Sequence, residues 1–337
     1  MEGLNVTLEA VTPLVCGGAR PNARAEFRAA SLRGVLRSWL ERLLPGAADL
    51  AFGSVPREGK EKGKAMGSPV ALSAVPVVHS KEFDWKPGFK APGRQYLGYS
   101  FVLGSNKRRF IAPGTTFAVR LLPCILKKDP GVRRAWVASL WLLDRFGGMG
   151  NRSRRGYGGL QVKKWEGWKE ETGGLKVTAQ ASSPEEWKQH LQEGWKVVRG
   201  WFPAVPNPAR RILSGGEACI VGRRFGKWEE VLDWLGERYK EFRAGKDESS
   251  RAALGLPVHY RDREIKVEEG GRSASRLLFK AARLGDGGLY PVVTRIAGPW
   301  AEPDAKVVVR NTSLRDPGDG PLRDFLRHLG GQIIALS

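Results

Sequence analysis

Between residues 147 and 159 the chain carries Arg152, Arg154 and Arg155 among six glycines, with no acidic residue in the stretch. Glycines let a backbone approach a polyanion closely and bare its N–H groups, while an arginine fork pairs with phosphate oxygens. Asn151 and Ser153 add neutral polar groups. Tyr157 offers a ring on which a base can stack, a contact worth about 1–3 kcal/mol in single-strand binders. The plainer reading is a solvated connection kept soluble by its arginines. Net charge favours nucleic acid: 56 Lys and Arg stand against 35 Asp and Glu, a balance of +21, and displacing condensed counterions from phosphates rewards such a surface.

A second basic cluster lies near the start of the chain. Arg24 and Arg28 belong to a basic loop, Ser31 is placed to cap the helix that follows, and Arg33 and Arg37 sit four apart on one face of it. A helix start with free N–H groups is an anion site. The expectation is that both clusters meet in one groove and hold a sugar–phosphate strand.

Other chemistries find little support. Cys16, Cys124 and Cys219 lie roughly a hundred residues apart, form no CxxC pair, and as an odd number suit a reducing cytoplasm. The histidines (His79, His190, His259, His328) are isolated, without the spacing of a zinc site. His79, beside Ser80 and Lys81, is the one candidate general base for a metal-independent ribonuclease. Asp49 and Asp144 do not define a Mg²⁺ site, one being in a loop and the other on a helix. No cofactor, metal or small-molecule substrate is expected. An apolar run of about 18 residues is lacking, and no basic helix offers a free apolar face to a membrane.

The elements that must position these residues follow from periodicity. Residues 4–11 alternate as a strand. Leu32, Val35, Leu36, Trp39, Leu40, Leu43 and Leu44 form one helical stripe, stopped by Pro45-Gly46. A charged loop spans 56–69, a strand 69–78, an insertion or hairpin 95–109, and a third strand ends at Pro123. A helix over 132–146, apolar nearly all round, leads through the glycine-arginine segment into a strand at 160–162. That β-α-β-β-α-β order is ferredoxin-like, the frame of RNA-recognition domains. A helix over 185–201 follows. Then come a strand at 218–221, a helix from Trp228, strands at 276–284, 290–296 and 306–310, a helix over 321–329 and a strand at 333–336. Gly285-Asp286-Gly287-Gly288 reads as a type I′ hairpin turn. The fold expected is α+β: two ferredoxin-like domains in tandem, over 1–172 and 215–337, with a linker helix region over 173–214.

Particular runs carry a family resemblance. Leu8-Glu9-Ala10-Val11-Thr12-Pro13-Leu14, Gly17-Gly18, and Phe27-Arg28-Ala29-Ala30-Ser31-Leu32-Arg33-Gly34-Val35-Leu36-Arg37 resemble the start of RAMP proteins, the ferredoxin-fold subunits of CRISPR effector complexes. Asn151-Arg152-Ser153-Arg154-Arg155-Gly156-Tyr157-Gly158 is similar to the arginine-rich glycine loop of the type III-B Cmr branch, specifically its first subunits. Tyr96-Leu97-Gly98-Tyr99 with Arg109, and Gly255-Leu256-Pro257 with Arg272-Ser273-Ala274-Ser275-Arg276, fit the middle and second half of that branch. The resemblance implies a non-catalytic RNA-binding subunit of an antiviral ribonucleoprotein. Its partners would be guide RNA, at the 3′ part, target RNA, and the other RAMP subunits of a Cmr complex. The readings left open beside it are the ribonuclease and a general basic scaffold, such as a binder of ribosomal RNA.

Overall fold

The computed structural model describes residues 2–17, 24–54, 65–76, 82–84, 92–101, 109–124, 129–203, 212–255, 258–260, 263–268, 273–301, 306–310 and 312–337. Residues 56–64 of the charged loop expected over 56–69, residues 20–23 of the basic loop expected over 20–28, and His79 lie outside the described residues.

The first half contains β1 (Leu4–Ala10), α1 (Ala29–Leu43), α2 (Ala48–Phe52), β2 (Val70–Pro76), β3 (Glu82–Asp84), α3 (Pro92–Leu97), β4 (Arg109–Ile111), β5 (Thr116–Pro123), α4 (Pro130–Phe146) and β6 (Leu160–Glu166). Its main sheet is antiparallel in the order β2-β5-β1-β6, the ferredoxin-like arrangement, with α1 and α4 behind it. Leu32, Leu36, Leu40 and Leu43 of α1 are buried, each contributing about 1.5–3 kcal/mol. Asp129 caps α4, accepting from the Gly131 N–H at 2.7 Å, with Pro130 in the first turn. The insertion or hairpin expected over 95–109 holds the end of α3, a 3₁₀ turn over Tyr99–Phe101 and the first residue of β4, whose partner β3 precedes the region; residues 102–108 lie outside the described residues.

Next come α5 (Lys169–Thr172), α6 (Pro184–Trp201), β7 (Ile212–Ile220), α7 (Trp228–Ala244), α8 (Glu248–Ala253), β8 (Val258–Tyr260), β9 (Arg263–Val267), β10 (Leu277–Arg283), β11 (Leu289–Ala297), β12 (Val307–Val309), β13 (Thr312–Ser313), α9 (Gly320–His328) and β14 (Gln332–Leu336). The order β10-β11-β7-β14 repeats the first sheet's arrangement. The expected strand at 306–310 is instead β12, part of a separate small sheet, β13-β12-β9-β8. The β10–β11 turn is not type I′, which needs two adjacent positive φ values. In this loop only Gly287 has one, at 76°, and Leu284 and Gly288 close the turn.

The second sheet is buried on both faces. Leu277, Phe279 and Ala281 of β10 point into a core with α7 and α9, while Leu278 and Ala282 point into the core of the first half. Helices α1 and α4 therefore lie between two sheets. No helix of the described residues is long and apolar enough to cross a membrane, and they hold no cluster of His, Cys, Asp or Glu suited to a metal ion.

Candidate nucleic-acid interface

Two adjoining clefts of about 290 and 330 Å³ share Ser31 and Val35 and form one groove between α1 and the glycine-arginine segment. One end is lined by Cys16, Gly17, Arg109, Gly150 and Asn151, the other by Ser38, Trp39, Arg42, Ser153, Arg154 and, from the second half, Leu278. Among the described residues no acidic one lines it. Three arginines, Arg42, Arg109 and Arg154, do.

The α1 side obeys helical geometry. Ser31, Gly34, Val35, Ser38 and Arg42 recur at three- and four-residue steps and share one face. Arg33 and Arg37, two residues further round, fall on the far flank of the buried stripe. Arg37 is held there by Asp49 and by the Gly53 carbonyl, and Arg33 does not line the groove. Their expected role as groove cations is thus not supported. Ser31 does line the groove, but as the third residue of α1 and not its cap. The cap position is Arg28, without a side-chain cap bond, and the first turn holds no acid, so no carboxylate offsets the positive end of the helix dipole there. Arg28 is exposed at the cleft's mouth and donates to the Gly17 carbonyl at 3.3 Å. Arg24, also exposed, precedes Ala25, which bridges to Gly17.

The glycine segment differs from expectation in an informative way. Its glycines approach the protein's own backbone. A Cβ on Gly150 would stand 2.2 Å from the Val15 oxygen, and one on Gly158 would stand 2.0 Å from the Met149 oxygen. Both have positive φ, where glycine is favoured. Within this frame the arginines are half-buried. The Arg154 Nη1 donates to the Ser275 carbonyl at 3.1 Å, and burial, with the neighbouring Arg155 charge, lowers its pKa. Arg155 lies over the rings of Tyr239 (4.8 Å) and Phe279 (5.5 Å) and donates to the Leu254 carbonyl. Arg152 donates to Ser100 Oγ at 2.8 Å. These three bind the first half to the second or to the α3 region, and only Arg154 also lines the groove.

Tyr157 is fully buried. Its hydroxyl donates to the Arg94 carbonyl at 2.9 Å and its ring meets Phe101 edge-on. Burial raises its pKa. Base stacking on Tyr157 is therefore corrected to a core role. Asp49 and Asp144 are likewise accounted for: Asp49 pairs with Arg37, and Asp144, fully buried, accepts from the Val162 and Thr178 N–H groups and the Thr178 hydroxyl, each at 2.8 Å.

Sequence reasoning missed Ser38, Trp39, Arg42 and Arg109 as groove residues. For α1 the signal was present, since counting seven and eleven residues on from Ser31 reaches Ser38 and Arg42. Arg109 reaches the groove only through the fold.

Comparison with known proteins agrees with this architecture. Residues 7–161 match the RAMP superfamily. The chain is 28% identical over 279 residues to the CRISPR system Cmr subunit Cmr1-1 of Pyrococcus furiosus, covering 77% of each. It is 31% identical over 183 residues to Cmr1-2 of the same organism, covering 46% of this chain and 92% of that relative. The fold is similar to the crystal structure of Cmr1 from Pyrococcus furiosus in its apo form, with a TM-score of 0.67 and 21% identity over 100% of this chain and 99% of that one. It is also similar to a chain in the cryo-EM structure of the type III-B Cmr-beta complex bound to cognate target RNA and AMPPnP, with a TM-score of 0.60 and 12% identity over 97% and 98% of the two chains. By these likenesses, and by the doubled ferredoxin-like order beneath them, the chain belongs to the RAMP superfamily, in its Cmr1 branch.

Proposed function

We propose that the chain is a non-catalytic subunit of a type III-B CRISPR effector complex that holds single-stranded RNA, the 3′ part of the guide or its target, in the groove between α1 and the glycine-arginine segment. The observation that carries this reading is the lining itself: among the described residues it holds three arginines, three serines and Asn151, with no acid, along the side of a helix whose first turn also lacks one. The overall charge of +21 favours the same class of partner. The relatives named as Cmr subunits, and the similar chain in a complex bound to target RNA, add the effector complex and its other subunits as partners.

The reading is tested by measuring RNA affinity against salt for the Arg42→Gln/Arg109→Gln/Arg154→Gln variant. Three lost phosphate contacts lower the slope of log affinity against log salt by about 2 for a single strand. An unchanged slope overturns the groove. The same preparations, incubated with labelled RNA in magnesium and in EDTA, are expected to leave it uncut, and reproducible cleavage would transfer the case to the ribonuclease.

A further inference from the structure

A groove for single-stranded RNA calls for a ring that can reach a base, and Tyr157 cannot supply it. Tyr99 can. It opens the 3₁₀ turn Tyr99–Phe101 and leaves 49% of its surface in water, the largest exposure of any aromatic side chain among the described residues. The turn is anchored from below, where Phe101 packs edge-on against both Phe110 (5.4 Å) and Tyr157 (5.1 Å). From the side, the Arg152 guanidinium lies 4.3 Å from the Tyr99 ring centroid while its Nε donates to the hydroxyl of Ser100. Arg152 holds this pose from a left-handed backbone, φ 61°, a conformation unfavourable for a non-glycine residue that persists where the surroundings enforce it.

The position of this pair matters as much as its rigidity. Asn151, the residue before Arg152, lines the groove, so the pair of Arg152 and Tyr99 follows on from that end of it along the chain. At the opposite end Arg42 lies 5.0 Å over Trp39, so an arginine–aromatic pair marks each end. Among the described residues the other exposed large apolar side chains, Leu50, Val75 and Ile333, belong to α2, β2 and β14. Within that set Tyr99 is an exposed ring beside a cation, in an element none of the others shares. That suits a nucleobase better than a protein surface.

We infer that Tyr99, clamped by Arg152, is a base-stacking platform on which the RNA strand leaving the groove places one nucleobase; the inference rests on the groove reading above. Stacking tolerates any base because every base has a π-face, so the platform adds affinity without sequence preference.

The test uses the full chain and a single-stranded RNA carrying 2-aminopurine. Tyr99→Leu, which keeps apolar bulk but has no ring, is expected to weaken binding about tenfold and to abolish quenching of the 2-aminopurine. Its salt slope stays that of the parent, because no charge is lost. Tyr99→Phe retains affinity and quenching, and Tyr99→Trp, should the leucine variant fold poorly, deepens the quenching. Parental affinity and quenching in Tyr99→Leu overturn the platform. If the groove arginine variant still loses its slope in that case, the groove stands alone; if it does not, both fall. Loss of a co-purifying protein subunit with RNA affinity intact would make the ring a protein contact and also overturn the inference.

Discussion

Arginine serves two purposes in this chain, and burial separates them. Arg42 and Arg109 line a cleft without an acid among the described residues, whereas Arg155 lies over the touching rings of Tyr239 and Phe279. A desolvated cation over a ring contributes up to about 2 kcal/mol, so Arg155→Ala is expected to lower stability by about 2 kcal/mol in denaturant melts while leaving the salt slope of RNA binding unchanged. A reduced slope at full stability would return Arg155 to the RNA. Spacing alone could not make this division. The run from Arg152 to Arg155 signals a polyanion site by composition, and its side chains turn inward because Tyr239, Phe279 and the Leu254 and Ser275 carbonyls, distant in sequence, meet them there. On α1 the opposite holds, since the wheel through Ser31 already separates Arg42 from Arg33 and Arg37.

Among the elements, α3 and α7 approach each other backbone to backbone through glycine. A Cβ on Gly236 would stand 2.0 Å from the Gly93 oxygen, and one on Gly93 would stand 2.0 Å from the Asp233 oxygen. Asp233 then accepts from both the backbone N–H and the side chain of Arg94. The expected effect of Gly236→Ala is a destabilisation of about 1–3 kcal/mol, the usual cost of overpacking, read as a lower melting temperature. An unshifted melt would mean that the helices separate freely. Long, strongly periodic elements were legible from sequence: β1, α1, β5, α4, α7 and β11 fall close to their expected spans. Short ones were not, because α2 and α3 have too few residues for a period to emerge and owe their form to tertiary packing. The near-continuous apolar run of β10 did carry the mark of a strand buried on both faces.

At the scale of the whole molecule, the two ferredoxin-like units are joined by a polar core. Lys280, fully buried on β10, donates to the Leu143, Gly147 and Leu160 carbonyls of the first half, at 3.0, 2.8 and 2.6 Å. Asp144 and Arg145 are its charged neighbours. Burial is the main influence and pulls its pKa from 10.5 to about 7. Because the folded value lies below the unfolded one, the unfolded chain binds more protons between those limits. Stability attributable to Lys280 therefore rises as pH increases from about 7 toward 10.5. Denaturant melts of the parent and Lys280→Met at several pH values test this: the parent should gain on the variant as pH rises, and a constant difference would contradict it. The same joint buries the open face of the second sheet under the helices of the first half. The groove that remains runs along the seam between the units, with Leu278 on one side and α1 on the other.

Photocrosslinking of 4-thiouridine RNA in the assembled particle, with the attached peptides mapped by mass spectrometry, tests that seam most directly. Adducts are expected on peptides containing Ser38 to Arg42, Gly147 to Arg154 and Tyr99. Adducts confined to β2 or to the small β8–β9–β12–β13 sheet, with none beside α1, would contradict the assignment of the RNA strand to this groove.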